Sequence, residues 1–476
     1  MYPHTPTVRR AVSYPERVST FSVRELLERH SDDALDLHAH TVNPQYVRML
    51  RTIGFDRRWV RGEGAHLYDA DGTRFLDWLG GFGMYNVGRN NPRVRAALAE
   101  ALELDTPGKL ALGVNPLGAI LAEELLRRAP ASLGRVLFSS SGTEAVEAAI
   151  KIGRAATGRS RVLSVERGFH GLTLGSLSAS GDPAFSERFL PLVPGFDRIP
   201  FDDLEALEVA LRADDVALFL VEPVVGHGVF LPSPGYLEGA QELCRRYGTL
   251  FCVDEVQTGL GRTGKLLALE HWGLEPDIVT VAKSLSGGYV PVGATLFRAE
   301  VFDAVFDSME HSMSHGSTFQ PNDLAMVAGL ATLHELDAER LVERSARMGE
   351  LLLERTRPLV ERYDVVKDVR GLGLMWAIEL GEPEGAGRTA YRLLERMQPA
   401  LFSQFVVVPL FTDHRVLSQV AGHGLNVIKG LPPLVLSEGD VDWFVSALDA
   451  TLADAQKLPK ATARFALRAA RAGVRG

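Results

Sequence analysis

The sequence predicts an α/β protein built on a mostly parallel sheet. Three short segments, residues 216–221, 249–253 and 277–282, are apolar on both alternating faces, as strands covered by helices on both sides are. Residues 236–248, between the first two, place their apolar side chains at a helical period. Strands that alternate with helices pair in parallel through right-handed crossovers, so the pattern predicts one central sheet.

A polar residue follows each of these three strands. Glu222, Asp254 and Lys283 are separated by 32 and 29 residues, which is the length of one strand, one helix and the return. The carboxyl ends of parallel strands meet at one edge of a sheet, and open α/β sheets bind their ligands at that edge. We therefore expect these three side chains to meet at a ligand site.

Two earlier strands are predicted at residues 135–138 and 161–165. The first runs into residues 139–145 (SSSGTEA) and the second into residues 168–171 (GFHG). Glycine directly after a short apolar run is typical of a tight turn from strand to helix.

The two ends of the chain are predicted to form a smaller domain. Residues 1–75 and 331–455 mix helices with alternating strands, and we expect them to assemble into one α+β unit beside a large domain at residues 76–330. Residues 456–476 form a basic tail with six Lys and Arg and no acid. This charge pattern favours a solvated helix, with a partner or an anionic surface as the alternative.

Composition excludes several classes of function. The 476 residues include 51 Lys and Arg against 60 Asp and Glu, a net charge of −9, which argues against a nucleic-acid-binding protein. Cys244 and Cys252 are the only cysteines, too few for a disulfide framework or a cysteine zinc cluster, so we predict a reducing compartment and no metal. The polar start of the chain and the lack of an apolar stretch of about eighteen residues predict neither signal peptide nor membrane span, and hence a cytoplasmic location.

Lys283 has the chemistry of a nucleophile. Desolvation and neighbouring charge lower the pKa of a lysine, so that its amine can bond a carbonyl. An aspartate such as Asp254, placed opposite a pyridine nitrogen, would keep that nitrogen protonated. This pairing is how pyridoxal phosphate becomes an electron sink, and it predicts pyridoxal 5'-phosphate as cofactor. A buried lysine in an ion pair is the alternative.

Other segments could bind the phosphate, the ring face and the phenolic oxygen of that cofactor. Ser141, Gly142 and Thr143 would present backbone N–H groups to a phosphate at a helix N-terminus, with an ordinary N-cap as the alternative. Phe169 offers a ring face for stacking, with core packing as the alternative. Gln257, three residues after Asp254, can hydrogen-bond a phenolic oxygen.

Together these motifs resemble the class III pyridoxal-phosphate-dependent aminotransferases, the ω-amino acid, ornithine and amine type. The resemblance covers about residues 45–450 and depends on the order and spacing of six segments: residues 141–145 (SGTEA), 169–171 (FHG), 221–223 (VEP), 254–264 (DEVQTGLGRTG), 282–288 (AKSLSGG) and 317–319 (STF). Residues 79–88 and 189–196 look most like the putrescine (diamine) aminotransferase branch. The resemblance implies the type I pyridoxal-phosphate transferase fold, with a mostly parallel seven-stranded sheet and a smaller α+β domain built from both chain ends.

The resemblance also implies a role for each matching residue of the large, cofactor-binding domain. Lys283 would hold the cofactor and then move a proton between substrate and cofactor, Asp254 would pair with the ring nitrogen, and Gln257 would bond the ring oxygen. Ser141, Gly142 and Thr143 would bind the phosphate from one subunit and Thr318 from the other, which implies an obligate homodimer. Phe169 would stack on the ring, with His170 orienting that loop and Glu222 orienting the groups near Gln257.

Two positions depart from the family pattern for carboxylate substrates. Relatives that use glutamate or 2-oxoglutarate usually carry an arginine shortly before Pro-Pro-Leu, where this chain has Lys429. His227 stands where many relatives place a glutamate that covers this arginine. Because lysine keeps the charge but loses the bidentate fork, we expect a primary amine, or an aliphatic aldehyde or ketone, as one substrate.

Three further residues are candidates for the substrate pocket. Trp78, Met84 and Tyr85 could form its wall, with ordinary core or interface packing as the alternative for each.

The resulting prediction is a transaminase that works on small-molecule amine and carbonyl substrates by a ping-pong mechanism. Three alternatives compete with it. Residues 259–264 match the nicotinamide motif GxGxxG, but residues 254–257 intervene between strand and glycines. The same scaffold can act as a decarboxylase, racemase or aminomutase. A non-catalytic binding protein is the third alternative, and the presence of Lys283, Asp254 and Gln257 together argues against it.

Overall fold

A computed structural model describes residues 21–110, 112–384 and 387–457 of the chain. The helices are α1 (Val23–His30), α2 (Ala34–Thr41), α3 (Pro44–Ile53), α4 (Gly80–Gly83), α5 (Pro92–Glu103), α6 (Pro116–Arg128), α7 (Gly142–Thr157), α8 (Leu174–Ala179), α9 (Pro183–Ser186), α10 (Leu204–Leu211), α11 (Tyr236–Arg246), α12 (Ala299–Asp303), α13 (Asp323–Ala338), α14 (Leu341–Thr356), α15 (Leu359–Arg362), α16 (Arg388–Met397), α17 (Leu401–Thr412) and α18 (Glu438–Ala455). The strands are β1 (Trp59–Glu63), β2 (His66–Asp69), β3 (Arg74–Asp77), β4 (Leu133–Ser139), β5 (Arg161–Val165), β6 (Phe196–Ile199), β7 (Val216–Val221), β8 (Leu250–Asp254), β9 (Ile278–Val281), β10 (Gly293–Arg298), β11 (Val366–Leu372), β12 (Met375–Leu380), β13 (Val416–Leu417), β14 (Gln419–Val420) and β15 (Val427–Gly430). The predicted basic tail lies outside the described residues, apart from residues 456 and 457.

The central sheet has seven strands in the order β4-β10-β9-β8-β7-β5-β6. The neighbours from β9 to β6 pair in parallel, and β10 runs antiparallel to both β9 and β4. Every residue of β7 is buried, as a strand covered on both faces requires. The prediction of an α/β fold with a mostly parallel seven-stranded sheet is confirmed.

The register of β7, β8 and β9 brings the three predicted polar residues to one edge. Val221 pairs with Val253, and Asp254 pairs with Thr280 in the next strand. Glu222 and Lys283 follow the ends of the outer two of these strands. Adjacent parallel strands therefore place the three side chains side by side.

Helix α7 begins directly after Ser141 and packs against this sheet. Its apolar face, which includes Val146, Ala149 and Ile150, is buried with Leu218 and Cys252 of the central strands. This packing lays the helix across the sheet with its first residue, Gly142, close to the edge that carries Asp254 and Lys283.

Two smaller sheets lie outside the central one. The first has the order β11-β12-β15-β14 and is antiparallel, and the second has the order β1-β2-β3-β13. In the second sheet β13, from the C-terminal part, pairs in parallel with β3 from the N-terminal part. Strands from both ends of the chain thus share a sheet, and β3 continues across the predicted boundary at residue 75.

A buried aromatic stack joins the segment that follows β3 to the last described helix. Trp78 has no exposed surface and stacks on Phe444 of α18 with 3.8 Å between ring centroids. Gly430 in β15 lies directly against this indole, so that a Cβ added there would stand 2.6 Å from Trp78 Cδ1.

Gly430→Ala should therefore destabilise the protein. The added methyl group has to displace a fully buried indole, which is overpacking and costs about 1–3 kcal/mol. Gly439→Ala is the matched control, because its Cβ would meet Ser437 Oγ at an ordinary 3.7 Å in the first turn of α18. Denaturant unfolding should show the loss for the first variant and no loss for the second, and equal stability of the two variants would contradict the packing described here.

Candidate active site

Asp254 is held at the centre of the sheet edge by three hydrogen bonds. Its Oδ1 accepts the Thr280 hydroxyl at 2.9 Å and the Val256 backbone N–H at 3.0 Å, and its Oδ2 lies 2.7 Å from His170 Nδ1. The side chain is 2% exposed. These partners fix the direction of a buried carboxylate before any ligand is bound.

Lys283 opens a short 3-10 turn, Lys283–Ser286, directly after β9. Its backbone φ is +44°, in the left-handed region that is costly for a residue with a Cβ and that occurs most often at functional sites. Burial lowers the pKa of the Lys283 ammonium, and the negative charges of Asp254 and Glu222 oppose that shift. Within the described residues its Nζ has no hydrogen-bond or ion-pair partner, so the amine is available to a ligand.

Glu222 links two loops behind this pair. Its Oε1 accepts the backbone N–H of Phe169 at 2.9 Å, and its Oε2 accepts that of Gly226 at 3.0 Å. Burial raises the pKa of Glu222, the charge of His170 lowers it, and the negative charge of Asp254 raises it further.

The N-terminus of α7 forms the next part of the site. The Ser141 Oγ caps the helix by accepting the Glu144 N–H at 3.3 Å, and the Thr143 hydroxyl is hydrogen-bonded to Thr173 at 2.8 Å. Gly142 permits a close approach, because a Cβ there would lie 2.9 Å from Val256 Cγ1 and 3.3 Å from the Cβ of Ala282. The helix end consequently lies against the residues that flank Asp254 and Lys283.

The loop after β5 supplies an aromatic ring and an imidazole. Phe169 is partly buried, and its ring centroid is 5.2 Å from that of Phe185 and 5.2 Å from that of His227. The His170 ring turns inward to Asp254, while its backbone N–H donates to Ser180 Oγ at 3.1 Å. His170 therefore connects this loop to Asp254 through its ring and to Ser180 through its backbone.

Lys429 reaches the site from β15 of the C-terminal sheet. Its Nζ donates to the Gly226 carbonyl at 2.9 Å and to Gln257 Oε1 at 3.4 Å, and the residue is 4% exposed. Gln257 in turn donates from Nε2 to the Phe82 carbonyl at 3.2 Å. Burial lowers the pKa of Lys429 to about 8, with Glu222 opposing the shift and Lys283 adding to it.

His227 belongs to a cluster at the side of Phe169. Its Nδ1 lies 3.9 Å from Asp182 Oδ2, and His423 Nδ1 lies 3.2 Å from the same oxygen. The Phe185 ring centroid is 5.5 Å from that of His227 and 4.7 Å from that of His423. Burial lowers the pKa of His227 to about 4, the charge of Lys429 adds to this shift, and Asp182 opposes it. The imidazole is therefore neutral at neutral pH.

The three predicted pocket-wall residues have different surroundings. Trp78 is packed in the core against Phe444, which favours the packing alternative for that residue. Tyr85 and Met84 are partly buried, and the Tyr85 ring lies against Gly288, shortly after the Lys283 turn. The Arg89 guanidinium lies 4.0 Å from the centroid of the Tyr85 ring and holds that ring in place.

Thr318 is exposed on the loop that precedes α13. Its neighbour Ser317 lies 3.1 Å from Ser140, Oγ to Oγ, just before the N-terminus of α7. Thr318 is thus exposed close to the residues that precede α7.

Comparison with known proteins identifies the family. The family model described as aminotransferase class-III matches residues 54–452. The chain belongs to the class III aminotransferases. The aminotransferase PigE of Serratia sp. (strain ATCC 39006) is 37% identical to it, in a match that covers 89% of this chain and 53% of that protein. This aminotransferase therefore spans about half the length of that relative.

Solved structures of transaminases share the fold. The ornithine aminotransferase of Toxoplasma gondii is 30% identical and superposes with a TM-score of 0.80, covering 92% of this chain and 99% of that one. An amine transaminase from an uncultivated Pseudomonas species, solved in its PLP-bound form, is 34% identical with a TM-score of 0.74, covering 83% and 94% of the two chains.

Class III aminotransferases bind pyridoxal phosphate, and the residues at this sheet edge fit that group. The site offers an amine without a described partner at Lys283, a fixed carboxylate at Asp254, and a helix N-terminus that Gly142 brings against the residues flanking both. These are the groups needed for its aldehyde, ring nitrogen and phosphate. The described residues contain no cluster of His, Cys, Asp and Glu side chains arranged to hold a metal ion. Among the helices of the described part, none has the length and apolar character needed to cross a bilayer.

Sequence reasoning missed Thr280, Asp182 and His423. Thr280 contacts Asp254 because the two residues pair across β8 and β9, and this register becomes visible only when the sheet is assembled. Asp182 and His423 lie 241 positions apart in the chain, so no local pattern connects them.

The neutral, buried His227 should make the aminotransferase less stable in acid. Its pKa of about 4 lies below that of an exposed histidine, so between about pH 6.5 and pH 4 the unfolded chain binds a proton that the folded chain does not. The contribution of the neutral His227 to the free energy of unfolding is therefore complete above this pH range and is lost as the pH falls through it. The melting temperature of His227→Asn should fall less steeply over this range than that of the wild type. The corresponding difference in the free energy of unfolding is at most about 1 kcal/mol per pH unit. His334→Asn, on an exposed position of α13, is the control and should follow the wild type; parallel curves for all three proteins would contradict the assignment.

Proposed function

We propose that this aminotransferase transfers an amino group from a primary amine to a carbonyl acceptor in two half-reactions, by a ping-pong mechanism. In the first, the amine donor leaves as an aldehyde or ketone while the enzyme retains its nitrogen. In the second, the carbonyl acceptor takes that nitrogen and leaves as an amine, so that no external oxidant or reductant is consumed. The observation that carries this proposal is the unpartnered Lys283 amine beside the fixed Asp254 carboxylate at one sheet edge.

Lys283 and Asp254 have complementary tasks in this reaction. Pyridoxal phosphate, when bound, supplies the electron sink that accepts negative charge from the substrate carbon. Lys283 Nζ would hold the cofactor and would also take up the proton from that carbon, a task that its lowered pKa favours. Asp254 keeps the ring nitrogen protonated, while Thr280 and His170 hold its two oxygens in place.

The phosphate and the ring are held by the surrounding loops. Ser141, Gly142 and Thr143 bind the phosphate at the N-terminus of α7, where backbone N–H groups and the helix dipole favour an anion. Phe169 stacks on the ring, and Gln257 bonds its phenolic oxygen.

We also propose a homodimer in which Thr318 of one subunit completes the phosphate site of the other. Support comes from the exposure of Thr318 and of large apolar side chains on the same loop, since Met309 is 95% and Phe319 72% exposed in the single chain. A second copy would cover these side chains and bring Thr318 to its target.

For the substrate we propose a primary amine, with a diamine such as putrescine as the first donor to test. The Pseudomonas relative is named an amine transaminase, and the Toxoplasma relative is named for ornithine, an amino acid that carries a second amino group. The neutral His227 and the hydrogen-bonded Lys429 offer a weaker carboxylate site than a free guanidinium would.

A titration of the purified protein with donors tests the proposed function. The protein loaded with pyridoxal phosphate should absorb in the visible, and an amine donor should bleach that band in the absence of an acceptor. Putrescine, a long-chain primary amine and glutamate are titrated separately, and we expect the first two to bleach it faster than glutamate. Lys283→Ala is the control and should turn over no substrate. A band that no donor bleaches would favour a decarboxylase, racemase or aminomutase instead.

Asp254→Asn should separate cofactor binding from catalysis. The substitution keeps the shape of the side chain but removes the charge that stabilises the protonated ring nitrogen. We expect kcat to fall by about 10²–10³-fold, the usual cost of removing a preorganised electrostatic group, while the protein still binds the cofactor. A loss of less than threefold in steady-state assays would remove Asp254 from this role.

A further inference from the structure

The Lys429 ammonium is buried with neutral partners only. Its two hydrogen bonds go to the Gly226 carbonyl at 2.9 Å and to the Gln257 amide oxygen at 3.4 Å. No carboxylate of the described residues lies within ion-pair distance of it, and both oxygens of the nearby Glu222 already accept backbone N–H groups. Two of the three N–H donors of Lys429 are thus used inside the protein.

These bonds decide which way the Gln257 amide points. An ammonium only donates, so the amide oxygen has to face Lys429 and the amide nitrogen has to face away. The nitrogen then donates one hydrogen to the Phe82 carbonyl at 3.2 Å. Its second hydrogen has no partner within the described residues and remains for a ligand.

The backbone at Gly226 is shaped for this contact. A Cβ at Gly226 would stand 2.5 Å from Gln257 Oε1 and 2.9 Å from Glu222 Oε2. Only glycine leaves room for the carbonyl, the amide and the ammonium to pack together. The Gly226 carbonyl, the Gln257 amide and the Lys429 ammonium are therefore packed against one another, with no room for a side chain at position 226.

We propose that Lys429 is a positioning residue that fixes the Gln257 amide with an N–H toward the cofactor's phenolic oxygen, and that it is not a reader of substrate carboxylates. This inference rests on the proposed role of Gln257 in the transaminase site. Lys429 therefore affects the reaction of every substrate to the same extent, because the amide that it orients faces the cofactor.

The test compares Lys429→Met, Gln257→Leu and the double variant with the wild type. The first readout is the absorption maximum of the bound pyridoxal phosphate at one fixed pH, which reports the hydrogen bond to the phenolic oxygen without any turnover. Both single variants should shift it in the same direction, and the double variant should shift it no further, because the two residues act as one unit.

The second readout is steady-state kinetics with pyruvate and with a short aliphatic aldehyde as acceptors. Lys429→Met should lower kcat for both by a similar factor, about tenfold for the loss of one charge-assisted hydrogen bond. Its KM for pyruvate should change no more than its KM for the aldehyde. Lys367→Met is the matched control, since Lys367 also donates to a backbone carbonyl, that of Asp364 at 2.8 Å, but on the surface; it should match the wild type in both readouts.

Gly226→Ala keeps the test decisive if Lys429→Met does not fold. The added Cβ would crowd the amide oxygen with Lys429 still present, so the same spectral shift is expected. An unshifted absorption maximum in the folded variants, or a rise of KM confined to pyruvate, would overturn the proposal and make Lys429 a carboxylate ligand. If no donor bleaches the wild-type band, the proposed transaminase function fails, while the spectral comparison still decides the role of Lys429.

Discussion

The hydrogen bonds that hold Asp254 determine the geometry of the whole site. Thr280 contacts Asp254 because β8 and β9 pair in this register, and the same register places Lys283 three residues further along the same edge. His170 holds the other carboxylate oxygen and thereby draws the loop after β5, with Phe169, over the edge. A slip of one residue between the two strands would separate Lys283 from Asp254 and turn their side chains to opposite faces of the sheet. Sheet pairing, and not any single loop, therefore keeps Asp254 and Lys283 together.

Burial shifts the pKa values of the basic and the acidic groups at this edge in opposite directions. Each shift favours the neutral form of its group. Burial lowers the pKa of Lys283 and of Lys429, the latter to about 8, and it raises the pKa of Glu222. Each group also feels the others, since Asp254 opposes the shift of Lys283 and Lys283 adds to that of Lys429. In a region of low effective dielectric these interactions are strong, so the arrival of an anionic phosphate and a cationic ring must change all of them together. The site is an electrostatic unit, which is why a substitution of one member affects its neighbours.

The sequence was sufficient to predict the sheet, the ends of its central strands and the residues that stand there. Glu222, Asp254 and Lys283 could be identified because buried parallel strands have a recognisable pattern and a polar residue at their end is conspicuous. The contacts of those residues could not be identified. The partners of Asp254 depend on strand register and on a loop that begins after β5, and Lys429 meets Gln257 across 172 positions of the chain. Trp78 lies next to pocket candidates in sequence, yet its ring turns into the core against Phe444. The direction of a side chain at an irregular turn depends on tertiary packing, which the local sequence pattern does not reveal.

The groups of this site come from two different parts of the fold. Asp254, Lys283 and the N-terminus of α7 belong to the central sheet and its helices, whereas Lys429 and His423 enter from the C-terminal sheet and its connecting loop. His423 shares Asp182 with His227, so the loop before β15 contacts the large domain directly beside Phe169. Substitutions in this loop are therefore expected to change the surroundings of Phe169 without touching strands β7, β8 and β9. Lys429, by contrast, reaches from the C-terminal sheet to the Gly226 carbonyl and to Gln257, and so ties that sheet to the segment that follows Asp254.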